Sequence, residues 1–167
     1  ENISMATRLY IEQCLSIIGE TDGPQIIRDN RKIVLEHLRS IDKHTVNELF
    51  ALTFILRSIK EDEFSVEFVR RIIHENFKPF PTDKGERSLL LLNSAIALLS
   101  RSGFVEEAEE YCLKAIELLK EHYNNVTHFM FHLLTFNYIL AQIQLKLNKP
   151  EGVELANKCI RHIDAQI

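Results

Sequence analysis

The stretch LNSAIALLSRSGFVEEAEEYCLKA, residues 92–115, decides how this chain folds. Before Gly103, apolar Leu92, Ala95, Ile96 and Leu99 recur at the three- and four-residue steps that gather one face of a helix. After it, Ala108, Cys112 and Ala115 repeat the pattern. Gly103 supplies the left-handed backbone that ends a helix, a conformation most residues adopt only at a cost. Ala108 and Ala115 are small enough to let two helices of a hairpin approach closely. The segment reads as helix, tight turn, helix.

Working outward, the same grammar covers the chain. The glycines and prolines (Gly19, Gly23, Pro24, Pro79, Pro81, Gly85, Gly103, Pro150, Gly152) fall where helical periodicity breaks, and no alternating strand pattern is sustained. The spacing predicts about eight helices, over 3–18, 24–39, 45–60, 65–76, 84–102, 105–122, 126–148 and 150–165. Thr45 with Glu48 fits a capping box, and Asp83 with Glu86 makes a similar start. Pro24 and Pro150 suit a first helical turn. The break from Phe77 to Thr82, stiffened by two prolines, joins one hairpin to the next. No linker or low-complexity segment interrupts residues 1–167, which read as a single all-α domain.

The turns also share a register. Aligning Gly103 with Lys60 and Asn148 sets Leu52 and Leu56, then Leu140, Ala141 and Gln144, before their turns. Ser65, Val69 and Ile72, then Val153, Asn157 and Ile160, follow them. Stacked units of this kind form tetratricopeptide-repeat (TPR)-like arrays, with a period here longer than the roughly 34 residues of an ordinary repeat. Longer helices fill the difference. The expected architecture is a right-handed superhelix of TPR-like hairpins, with residues 3–39 as a more divergent first hairpin. Such a scaffold presents a concave groove for a peptide or protein.

In a TPR stack the first helix of each hairpin faces that groove, and three stripes follow. They are Asn47, Phe50, Phe54 and Arg57; Leu90, Asn93, Ala97 and Arg101; and Thr135, Tyr138, Gln142 and Lys146. The Asn93 amide can donate to a peptide carbonyl and accept from an N–H together. Arg57 and Arg101 suit bidentate capture of a carboxylate, while Phe50, Phe54 and Tyr138 offer apolar pockets. The peptide-binding set is thus Asn93, Arg57, Arg101, Phe50, Phe54, Ala97, Tyr138, Gln142 and Asn47. A purely structural reading stands beside it, with Phe50 and Phe54 in the core and Asn93 bonded to a neighbouring backbone group.

Composition excludes several other classes. The net charge of −4 gives no general attraction to nucleic acid or an anionic membrane. No apolar run reaches the roughly 20 residues of a membrane span, and no signal peptide is present. Cys14, Cys112 and Cys159 are odd in number and lie within apolar helical patterns, which points to reduced, buried thiols in a cytoplasmic protein. His128 and His132 share a helix face, but Phe129 stands where the zinc-protease pattern needs Glu. The acidic run Glu106, Glu107, Glu109 and Glu110 opens a helix, where carboxylates suit the dipole, and reads as a solvated face. No phosphate-binding loop, nucleophile elbow or catalytic triad appears, and neither an enzyme nor a cofactor is expected.

Two stretches carry a family resemblance. Leu38, Ile41, Thr45, Glu48, Leu49 and Phe50 form one; Leu92, Asn93, Ser94, Gly103, Glu107, Ala108 and Ile116 form the other. Together they resemble the carboxy-terminal domain of the Rgg/GadR/MutR transcriptional regulators, although His44 and Asn47 stand where that family usually has Trp and Tyr. The resemblance implies a domain that dimerises and, in many members, binds a short pheromone peptide on its concave face for quorum sensing. It also implies an amino-terminal helix-turn-helix that binds promoter DNA. The chain opens on Glu1 rather than Met, and the expectation is a fragment lacking that head. The alternative is a TPR-like protein–protein adaptor with no link to DNA.

Overall fold

The computed structural model describes residues 36, 39, 52, 53, 55, 56, 65–77, 82–123 and 127–164. The chain divides into two compact units, Glu1–Ile59 and Lys60–Ile167, parted at the position that the repeat register aligns with Gly103. In the first unit the described residues are helical, and Leu52, Ile55 and Leu56 are buried. The predicted helices over 3–18, 24–39 and 45–60, and the Thr45 cap, otherwise lie outside the described residues.

The second unit is all-helical among its described residues. It runs α1 (Val66–Glu75), α2 (Thr82–Arg101), α3 (Val105–Tyr123), α4 (Thr127–Lys146) and α5 (Glu151–Asp164). All five match a predicted segment. One start differs: α2 begins at Thr82, so Asp83 lies within the helix and not ahead of it. Ser65 caps α1 by accepting from the Phe68 N–H, and Asn76 closes it with bonds from its backbone and side chain to the Ile72 carbonyl.

The two hairpin turns are built alike. Gly103 takes a φ of 92°, and the Phe104 N–H reaches back to the Leu99 carbonyl at 3.2 Å. Asn148 takes a φ of 55°, with the Lys149 N–H on the Gln144 carbonyl and its own N–H on that of Leu145. Both are left-handed helix ends whose backward bonds satisfy carbonyls that the helix leaves open. Asn is the non-glycine residue that tolerates this conformation best, since its short polar side chain bonds locally.

Each helix packs on the next, and α2 also packs on α4. Because α2 meets α1, α3 and α4, it is buried almost all round from Ser88 to Ser100. Ala108 and Ala115 are fully buried on α3, as a close hairpin requires. The Cys112 thiol donates to the Phe136 carbonyl at 3.3 Å, which brings α3 against the backbone of α4. Burial pushes that thiol up to about 12. Gly152 lies closer still to α4, 2.9 Å from the Leu145 nitrogen to where its missing Cβ would stand. Cys112 and Cys159 are buried and unbridged, and Cys14 lies outside the described residues.

The acidic run on α3 is more than a solvated face. Glu107 takes a bidentate pair from Arg70 of α1, both bonds at 2.7 Å, with the guanidinium 5.4 Å from the Phe104 ring. Glu109 holds Lys149 at 2.6 Å, and Glu110 holds Lys114 one turn along its own helix. The dipole explains why carboxylates are favoured at this helix start, but not why they sit opposite cations from other elements. Arg70 holds the Glu107 carboxyl below its usual range.

Candidate functional site

Helices α2 and α4 are the first members of the two described hairpins, and a cavity of about 430 Å³ lies between them. From α2 it takes Ala97, Ser100 and Arg101; from α4 it takes Ile139, Gln142, Ile143, Leu145 and Lys146. The spacing explains the convergence. Ala97 and Arg101 are one turn apart, as are Ile139 and Ile143, and Gln142 and Lys146, so each set shares a helix face. Lys146 reaches across the space to the Ser100 carbonyl at 3.1 Å and so ties the carboxy-terminal ends of the two helices together.

The chemistry of this lining is mixed in a useful way. Ala97, Ile139 and Ile143 give an apolar floor with room for a side chain. Gln142 can donate and accept together, and Arg101 and Lys146 bring two positive charges to the exposed rim. No acidic residue lines the cavity among the described residues. Such a surface suits an extended ligand with an apolar body and a carboxylate, held by hydrogen bonds along its length.

Four predicted groove positions, Ala97, Arg101, Gln142 and Lys146, meet at this cavity. Tyr138 lies one turn before Gln142 and is 52% exposed, clear of the lining. Asn93 lies one turn before Ala97 but is only 7% exposed, because the middle of α2 is enclosed by its neighbours. Its amide meets no hydrogen-bond partner among the described residues, so the expected bond to a neighbouring backbone group is not found there. Thr135 returns its hydroxyl to the Phe131 carbonyl. Asn47, Phe50, Phe54 and Arg57 lie outside the described residues.

Sequence reasoning missed Ser100, Ile139, Ile143 and Leu145. The isoleucines look like ordinary core in a helix that is apolar all round, so periodicity alone does not set them apart. Ser100 had a signal: it lies between Ala97 and Arg101 within one turn. Among the described residues no group of three or more His, Cys, Asp or Glu could hold a metal ion, and no helix is long and apolar enough to cross a membrane.

No family model, curated protein or solved structure matches the chain.

Proposed function

We propose that this chain is the ligand-sensing and dimerisation domain of a bacterial transcriptional regulator, binding a short signalling peptide on the face shared by α2 and α4. The observation that carries the reading is the meeting of Ala97, Arg101, Gln142 and Lys146 at one cavity. These are positions that a TPR-like register assigns to the ligand face. The matched turns at Gly103 and Asn148 and the packing of α2 on both α3 and α4 support a right-handed stack of TPR-like hairpins. The link to transcription rests on the resemblance to the Rgg/GadR/MutR regulators.

A peptide lying along α2 and α4 sets its carboxylate against Arg101 or Lys146 and its apolar side chains over Ile139 and Ile143. Regulation follows as a population shift: the peptide favours one dimer arrangement and thereby biases the DNA-binding heads. Exposed Val153 and Ile160 on α5, 54% and 55% accessible, with Ala156 between them, supply an apolar stripe for a second copy.

The test is a fluorescence-polarisation screen of labelled short apolar peptides with free carboxyl ends. Arg101→Ala and Gln142→Ala should each abolish binding of the hits while leaving the melting temperature unchanged. Hits that bind both variants as tightly as the parent would move the ligand elsewhere, and a screen without hits would sink the peptide reading.

A further inference from the structure

A second cavity, of about 570 Å³, opens between α3, α4 and α5. It uses a different side of α4. Met130, Leu133, Leu134 and Asn137 form one stripe at helical spacing, while Ile139, Gln142, Ile143 and Lys146 form another. At 100° per residue the second stripe is turned about half a revolution from the first. The two cavities therefore flank one helix.

The floor of the second cavity is hydrocarbon and sulfur: Met130, Leu133 and Leu134 from α4, Leu155 and Cys159 from α5. Its rim is cationic. Lys120 of α3 faces Lys158, Arg161 and His162 of α5, and none of the described lining residues is acidic. This is not a by-product of a basic protein, since the chain carries a net charge of −4. Lys120 and Lys158 form no ion pair among the described residues, in contrast with Arg70, Lys114 and Lys149, which all do. Lys158 precedes Cys159 on α5, and both line the cavity.

We propose that this cavity binds an amphipathic carboxylate, a medium-chain fatty acid whose tail lies on the Met130–Leu134–Leu155 floor and whose head group meets Lys120 and Lys158. Its volume is in the range of roughly 300–1,000 Å³ usual for small-molecule sites. A hydrocarbon tail asks for no hydrogen bonds, which matches a floor whose side chains offer only the weak Cys159 thiol. A peptide backbone asks for many, and among the described lining residues only Asn137 offers a neutral amide. Met130, half exposed at the mouth, is flexible enough to close over tails of different length.

Calorimetric titration of the whole chain with sodium dodecanoate, below its micellar concentration, tests this. One saturable site is expected, binding at least tenfold tighter than dodecanol or dodecyltrimethylammonium. The Lys120→Met, Lys158→Met double variant should weaken dodecanoate at least tenfold while dodecanol changes little, and Met130→Glu should weaken dodecanoate by repelling its head group. Both changes lie on exposed positions, and an unaltered melting temperature checks that the fold is intact. Equal binding of dodecanoate and dodecanol, unaffected by the lysine changes, would overturn the proposal. So would a lack of saturable binding, or an acidic amphipathic peptide that displaces dodecanoate and binds more tightly. Arg101→Ala should leave dodecanoate binding unchanged, which separates this site from the α2–α4 cavity.

Discussion

Two glycines of the second unit predict opposite patterns of tolerance. At Gly152 an added Cβ would stand 2.9 Å from the Leu145 nitrogen, 3.0 Å from the Gln144 Cβ and 3.1 Å from the Ala141 oxygen. Comfortable carbon contacts begin near 3.5 Å, and two of these neighbours are backbone atoms of α4 that cannot swing aside. Overpacking of this kind costs about 1–3 kcal/mol. The helix-propensity gain of Ala over Gly, about 1 kcal/mol in a helix interior and smaller in a first turn, offsets part of it. Gly152→Ala should therefore destabilise by about 1–2 kcal/mol, and Gly152→Asn by more. At Gly103 nothing lies within 4 Å of an added Cβ, and the whole cost is the φ of 92°. Gly103→Ala should lose about 1–2 kcal/mol, the left-handed penalty of an ordinary residue. Gly103→Asn should lose clearly less, as Asn148 holds the equivalent turn. Urea unfolding followed by far-UV circular dichroism measures all four variants. A neutral or stabilised Gly152→Ala would refute the close approach of α5 to α4. A Gly103→Asn as costly as Gly103→Ala would refute the conformational explanation.

The remaining predictions concern single groups. Asn93→Ala should leave binding of a screened peptide unchanged, because Asn93 is buried one turn before Ala97 and does not line the cavity; a clear loss of affinity at an unaltered melting temperature would overturn this. Arg70 lowers the Glu107 pKa in the folded state, so that pair stabilises above the unfolded value of 4.5 and its contribution fades as pH falls through the folded value. Glu107→Gln should accordingly lower the urea midpoint at neutral pH and lose that deficit in acid. Burial raises the Cys112 pKa from 9.0 to about 12, so the folded thiol keeps its proton while the unfolded one releases it. That stabilisation is whole below pH 9.0 and drains by about 1.4 kcal/mol per pH unit on the way to 12. Cys112→Ala should flatten this alkaline decline in urea midpoints.

The five described helices were legible because their apolar faces recur at helical spacing and their ends are marked by residues with special backbones. Pro150 marked a break just after Asn148, but its positive φ was readable only through its alignment with Gly103. The cavity between α2 and α4 was legible as a register, which is why Ala97, Arg101, Gln142 and Lys146 could be placed together without coordinates. Burial of Asn93 was not, because it depends on α2 being wrapped by three other helices and one helix's periodicity does not report its neighbours. The ion pairs of Glu107 and Glu109 were hidden for the same reason: their partners Arg70 and Lys149 lie on other elements, far along the chain. Gly152 looked like punctuation, and only the distance to the α4 backbone reveals it as a packing residue.

Helix α4 is lined by one cavity towards α2 and by another towards α3 and α5, with Phe131 and Tyr138 exposed on the stripe between them. A rigid rod between two hollows cannot shift towards one without enlarging the other. Two ligands that prefer different positions of this rod would alter each other's dissociation constants by a single common factor, the same in both directions.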